Sequence, residues 1–419
     1  MKGIDDLWQA DLVEMITYAV QNNGYRYLLT VIDTFSKKAW AMAVKNKTTQ
    51  NVTNAMKEIF EKSHRKTKNL QTDNDLYVLP SESFLYIEGT ASKEDGTICN
   101  SIKLLNNCMA HLFDEIRYEL NGIEIDRTRH LGITTEIKNF TSLNKRESES
   151  LLNAGWSQFN NDELTIVSGY FNFCIPLQML LGFAEDFNKI IVNSKHELIL
   201  LRSKDDKQAI TTTVADEQIK LSILNITWKM PHVQLADAYK LEMFKKINSR
   251  QPLNICFRAC DMYYYPTLPQ SAAVLWNVKL ASENERPRFL LIAFRNAENK
   301  FTHCNLTNVK VHLNSDSYPY DDLNLRFSRN QFALLYDIYS RCQQSYYLRD
   351  PYPLLKRNEF LTLPPIVVLD VTHQNESVKT RPIDIRIELK ASSNIPANTS
   401  AYCLIIHDKI FDYVPLTNE

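Results

Sequence analysis

Histidine, cysteine and carboxylate side chains do most metal and nucleophilic chemistry, and in this 419-residue sequence they gather at few places. The tightest gathering of metal-ligand types is His303, Cys304 and His312. His312 alternates with Val311 and Leu313 and shares its phase with Lys310, which puts it on the polar face of a strand. The group reads as solvated strand residues. Cys256 and Cys260 fall on one face of a strand, but four residues of strand span roughly 13 Å, too far for one metal or a disulfide. His407-Asp408 has the types of a catalytic pair, yet no G-x-S-x-G nucleophile motif accompanies it. A basic loop, His64, Arg65, Lys66 and Lys68, offers a weak contact for phosphate, although such a cluster is usually a solvated loop. Residues 1–76 hold 11 Lys/Arg against 9 Asp/Glu, a balance of +2, which is too little to require nucleic acid.

Phosphate cradles are excluded more firmly. The nine glycines are about 2% of the chain against roughly 7% usually, and none follows Gly182. Neither G-x-G-x-x-G nor G-x-x-x-x-G-K-[ST] can be written with them, so a P-loop NTPase or a Rossmann dehydrogenase is out. The net charge of −1 draws the chain to neither nucleic acid nor anionic lipid. The longest apolar stretch, Phe171 to Phe183, is interrupted by Asn172, Pro176 and Gln178 and falls short of the roughly 20 residues of a membrane span. No apolar leader opens the sequence, so an intracellular location, no membrane partner, and eight reduced, buried cysteines are expected.

The elements that position these residues divide at Pro80, the first of 15 prolines. Before it, Trp8–Met15, Tyr25–Asp33 and Ala39–Val44 read as strands. Val52, Ala55, Met56, Ile59 and Phe60 have helical spacing, and Leu70–Asp73 reads as a fourth strand. The order is β-β-β-α-β. After Pro80 a long series of short strands gives an all-β signal. Ile116, Tyr118 and Leu120 alternate, Asn121-Gly122 supplies a type I′ turn, and Ile123 and Ile125 resume the alternation. Further strands are expected at Leu164–Ile175, Ile219–Met230, Leu253–Ala259, Val274–Val278, Phe289–Phe294, Val309–Leu313, Ile366–Val371, Ile383–Leu389 and Tyr402–Tyr413. The apolar phase shifts near Leu224, as at a β-bulge. Helices are expected at Leu235–Ile247 and around Phe332–Tyr339. With no glycine after Gly182, later turns must use Asn, Asp and Pro.

Two resemblances follow. Trp8-Gln9-Ala10-Asp11-Leu12, Tyr27 to Lys37 and Leu70-Gln71-Thr72-Asp73-Asn74 resemble the catalytic core of retroviral-type integrases, notably those of Maverick/Polinton transposons. The resemblance implies an RNase H-like fold in which Asp11 and Asp73 are two carboxylates of a D,D-E set holding two Mg²⁺ or Mn²⁺ ions. The sequence then departs: Asp75 stands where the family has Gly, and Glu82, Glu88 and Glu115, the downstream carboxylates, lack the helical context of the third ligand. Asp11 and Asp73 are therefore read as vestigial, with Arg65, Lys66 and Lys68 as a weak DNA contact.

From Tyr77 onward, Phe84 to Gly89, His111 to Gly122, Trp228 to Val233, Leu313 to Tyr320 and Thr399 to Asp408 resemble the double jelly roll-like proteins of animal genomes, which are similar to Polinton-type major capsid proteins. This implies a mainly β chain of two tandem eight-stranded jelly rolls, residues 77–247 and 248–419, preceded by a partial α+β RNase H-like fragment, residues 1–76. It also implies self-association as a homotrimer, with no resident cofactor. Interface candidates are rim-loop aromatics, Tyr263, Tyr264, Tyr265, Tyr318 and Tyr320, since tyrosine offers large contact area. The reading is a capsid-like structural protein with an inert integrase remnant. Its rivals are a working two-metal integrase and a monomeric, host-adopted sandwich that binds other proteins.

Overall fold

The computed structural model describes residues 3–72 except 6, 34 and 68; residues 77–236 except 94, 100–101, 158–163, 193 and 213–218; residues 239, 242 and 243; and residues 252–413 except 279–285 and 374–382. The chain forms two compact units, Met1–Leu76 and Tyr77–Glu419.

The smaller unit has the expected order β1 (Leu7–Glu14), β2 (Tyr27–Asp33), β3 (Ala39–Val44), one helix (Thr49–Ser63) and β4 (Asn69–Thr72). Its sheet runs β3-β2-β1-β4, with β4 parallel to β1 and the other pairs antiparallel. The helix starts where Thr48 accepts the Asn51 N–H, and it stops where His64 turns left-handed at φ 54°. One face of the sheet, with Trp8, Ala10, Leu29, Val31 and Val44, is buried against Ala55 and Ile59 of the helix.

The larger unit contains β5 (Tyr77–Val78), β6 (Phe84–Lys93), β7 (Ile102–Leu104), β8 (Phe113–Leu120), β9 (Ile123–Arg129), β10 (Tyr170–Pro176), β11 (His196–Arg202), β12 (Ile210–Thr212), β13 (Ile219–Lys229) and β14 (His232–Val233). It continues with β15 (Leu253–Tyr265), β16 (Ala273–Val278), β17 (Pro287–Arg295), β18 (Leu306–Leu313), β19 (Asp316–Tyr318), β20 (Val367–Asp370), β21 (Ile385–Ala391) and β22 (Ser400–Tyr413). β15 to β22 form two four-stranded sheets, β15-β22-β17-β20 and β16-β21-β18-β19. First pairs with eighth, second with seventh, third with sixth and fourth with fifth, which is the nested wrapping of a jelly roll. In β6 to β13 the same nesting holds for β6 with β13, β7 with β12 and β8 with β11. The innermost pair differs: β9 pairs with β8, and β10 with β6. Between them the chain detours through the helices Leu131–Ser142 and Lys145–Ser150, which carry it from one sheet to the other. One continuous apolar core runs through both rolls.

Several local expectations hold in detail. Asn121 and Gly122 take φ 53° and 80°, and the turn joins Leu120 to Ile123 as a two-residue hairpin. The register of β13 against β6 shifts between Ile223 and Asn225, so Leu224 is the bulge. After Gly182, eight described non-glycine residues have positive φ, and six are asparagine, Asn314 among them. Asparagine tolerates this region better than other residues with a Cβ.

Other expectations are corrected. The strand read at Leu164–Ile175 begins only at Tyr170, because Ser168 and Gly169 both take left-handed φ. β15 does not stop at Ala259. It pairs with β22 through Tyr265, so Tyr263, Tyr264 and Tyr265 are strand residues and not a rim loop. The helix near Phe332–Tyr339 extends over Ala333–Tyr347. The Leu131–Ser142 helix was not anticipated: all twelve of its residues are buried, and a helix covered on every side shows no amphipathic stripe. The helix read at Leu235–Ile247 lies largely outside the described residues. All eight cysteines are free; Cys256 is exposed and Cys174 half-buried, the rest buried. No described helix is long and apolar enough to cross a membrane.

Candidate functional site

In the smaller unit, Asp11 lies exposed on β1 and its carboxylate accepts its neighbour's Leu12 N–H at 2.7 Å. Asp73 and Lys68 lie outside the described residues. Among the candidates for a third carboxylate, Glu82 is exposed on a single 3-10 turn. Glu88 accepts the Tyr86 hydroxyl, and Glu115 pairs with Arg129 at 3.3 Å. Among the described residues no group of three or more His, Cys, Asp or Glu side chains converges to hold a metal ion. The described residues therefore do not assemble a two-metal set.

The basic loop is corrected more sharply. Arg65 is not offered to a phosphate: its guanidinium pairs with Asp33 at 2.5 Å and Asp5 at 2.6 Å and lies over the Trp8 and Trp40 rings. Burial works to raise the Asp33 carboxyl, but the Ser36 hydroxyl, the Phe35 N–H and Arg65 outweigh it and hold it at about 2. Lys66 stays exposed.

The histidine and cysteine groups are separated by the fold. His303 stacks on Phe327 at 4.2 Å before β18 begins, whereas His312, near the far end of β18, faces Glu388 at 3.0 Å. Cys256 is exposed and Cys260 buried although both fall on one face of β15, because that face is bare at its start and covered further on. His407 Nε2 lies 2.9 Å from Asp261, a pair in which the histidine is buried and the carboxylate is partly exposed, while Asp408 holds Arg288 at 3.0 Å.

Among the described residues, polar side chains also meet in a partly buried seam between the two rolls, part of which covers β15. Glu136, on the Leu131–Ser142 helix, forms an ion pair with Arg295 of β17, and His111 Nε2 approaches the same carboxylate at 3.4 Å. Burial raises the Glu136 carboxyl, but Arg295 and His111 more than compensate, so the net shift is downward. Lys138, two positions further along the helix, pairs with Glu185 at 2.5 Å, and Tyr347 donates to Glu185 at 2.5 Å. Arg258 of β15 is clasped by Asp186 through Nε at 2.8 Å and Nη2 at 2.5 Å, with Tyr346 under its guanidinium at 3.9 Å. Tyr339 donates to the Phe140 carbonyl at 2.7 Å, and Arg349 reaches Glu147 at 2.6 Å. Gly182 packs against β15 so closely that a Cβ there would sit 1.8 Å from the Arg258 carbonyl oxygen. The partners are separated by tens to hundreds of residues, so no spacing in the sequence points to them.

The five interface tyrosines are not one patch. Tyr264 stacks on Tyr402 at 4.9 Å and lines a cleft of about 280 Å³ at the seam, with His111, Asp114 and His130. Tyr263 and Tyr265 pack against the core, and so does Tyr318 of β19. Tyr320, just beyond β19, is 87% exposed.

Two family models match the sequence. Residues 102–411 match the family model described as double jelly roll-like domain, and residues 4–77 match the integrase core domain model. No curated protein matches the sequence. Among solved structures, PBCV-1 VP54, fitted into a reconstruction of the virophage Sputnik, is 10% identical over 81% of this chain and 88% of that one, with TM-score 0.49. The Faustovirus major capsid protein is 8% identical over 81% and 85%, with TM-score 0.48. The mavirus major capsid protein is 10% identical over 81% and 86%, with TM-score 0.45.

Proposed function

The chain belongs to the double jelly roll-like domain family, and from that premise we propose that it is a capsid-type structural subunit that assembles with copies of itself, as a homotrimer. The observation that carries this reading is the seam. Ion pairs that cross from one roll to the other, Glu136–Arg295 buried and Asp186–Arg258 half-buried, hold them as one block, and a subunit that tiles a shell needs rigid blocks more than it needs an open active site. The integrase-like segment is proposed as a remnant from a Polinton-like element that performs no strand transfer. Supporting this are the exposed, solitary Asp11 among the described residues and the guanidinium of Arg65 held by two aspartates. Any nucleic-acid contact through Lys66 and Lys68 is weak for the same reason.

Light scattering at tens of micromolar tests the assembly. A trimer or larger species is expected, and a monomer overturns the reading. Strand transfer assayed with Mg²⁺ or Mn²⁺ should not exceed that of Asp73→Asn, and activity lost only in that variant overturns the inert remnant.

A further inference from the structure

The two rolls differ at one edge. In the second roll the last strand, β22, is flanked on both sides, by β15 and β17. Its counterpart β13 is flanked only by β6, because β9 occupies the side of β8 that β22 occupies on β17. One edge of β13 thus has no strand partner among the described residues; at Leu221 its N–H and carbonyl are taken by Asp206 and Arg202, and from the bulge onward it is a template for another chain. Its apolar side chains are exposed as well. Leu224, at the bulge, is 63% exposed, and Ile226, which faces the core opposite Ile87, is still 40% exposed. From Ile219 to Lys229 the strand carries Lys220 and Lys229 and no acid.

A matching edge lies in the other roll. β19 ends the sheet β16-β21-β18-β19. The stretch from Asn314 to Leu325 carries Asp316, Asp321 and Asp322 and no base. Lys310 pairs with Asp322 at 2.7 Å and donates to the Tyr320 carbonyl at 3.0 Å. This ties the loop down and leaves Asp316, Asp321 and the Tyr320 ring facing solvent.

We infer that β19 and the Tyr320 loop of one copy dock along the open edge of β13 in a second copy. The inference rests on the self-association reading and gives it a contact. Strand edges supply backbone pairing, the Tyr320 ring covers Leu224 and Ile226, and Asp316 and Asp321 meet Lys220 and Lys229. The two surfaces belong to different rolls, so each copy donates one and accepts one, a heterologous contact that makes a ring where its rotation closes.

The test uses the full chain with the exposed Cys256 replaced by serine. Tyr320→Cys and Leu224→Cys are made in separate, differently tagged chains and treated with a short bis-maleimide; both positions are exposed, so folding is not at stake. The mixture should give the mixed cross-linked dimer, and neither variant alone should cross-link. Tyr320→Cys cross-linking to itself, or no mixed dimer while the unsubstituted chain sizes as an oligomer, overturns this contact and leaves the self-association reading standing. An unsubstituted chain that sizes as a monomer overturns both. Independently, Lys220→Glu with Lys229→Glu should weaken assembly at least tenfold, and Asp316→Lys with Asp321→Lys added to it should restore assembly; no restoration overturns the pairing.

Discussion

Glu136 and Arg295 are 159 residues apart in sequence and both buried, so each depends on the other for its charge. Removing one partner leaves the other uncompensated, which costs about 3–5 kcal/mol, whereas replacing both with apolar residues is often near neutral. Arg295→Met should therefore lower the unfolding free energy by about 3–5 kcal/mol in urea titration, and Glu136→Leu added to it should recover most of the loss. A double variant as unstable as the single one would show that the pair acts through something other than its charge. His196 gives a pH prediction. Burial in contact with Tyr118, whose hydroxyl lies 2.6 Å from Nδ1, holds its imidazole at about 4, below an ordinary 6.5 or so. Between those values the unfolded chain binds a proton that the folded chain refuses. The stabilising contribution is therefore full above about pH 6.5 and is lost as pH falls toward 4. His196→Gln should flatten the stability loss between pH 7 and pH 5 by about 1–2 kcal/mol, and unchanged slopes would assign the loss to other groups.

At the scale of elements, Gly182 is where one roll approaches the other. Residues 182–186 form a short helix whose first residue lies against the Arg258 backbone, and backbone cannot step aside as a side chain can. Gly182→Ala should cost at least about 2 kcal/mol, toward the upper end of overpacking penalties. Gly122→Ala, in open space at φ 80°, should cost about 1 kcal/mol through its backbone conformation alone. Equal losses in urea titration would mean that the close approach carries no load. The same elements show what a sequence can reveal. Strands half-covered by one core alternate, so the β8–β9 hairpin, its Asn121-Gly122 turn and the bulge at Leu224 were legible. The Leu131–Ser142 helix was not, because burial on all sides erases the period that announces a helix. β15 outruns the strand expected at Leu253–Ala259 for a related reason. Its middle is covered on both faces, Ala259 and Cys260 being buried side by side, and alternation fails there although the strand continues. In the smaller unit, the position of Arg65 in a basic run suggested phosphate. Its partners Asp5 and Asp33, 60 and 32 residues away, become neighbours only once the sheet forms.

Over the whole molecule, the number of cores sets the number of cooperative transitions. One apolar cluster runs from Leu85 in the first roll to Tyr413 in the second, and a separate small cluster around Trp8, Val31 and Ile59 serves the N-terminal unit. Two rolls that share a core and a seam of buried ion pairs cannot lose one without exposing the other. Residues 77–419 should therefore unfold together, although their topology is that of two domains. The N-terminal unit is small enough that a chain of its size buries only about 60% of its surface, so its own transition should be the weaker one. Calorimetry of the full chain should resolve two transitions, not three, with most of the enthalpy in the larger because enthalpy scales with chain length. Three transitions in the unsubstituted chain would refute the shared core. Arg258→Ala with Arg295→Met, which cuts two of the ion pairs between the rolls while leaving the continuous apolar core in place, should split the large transition into two of comparable enthalpy. If the doubly substituted chain still melts in one large step, the apolar core alone couples the rolls, and the ion pairs fix their register without adding to cooperativity.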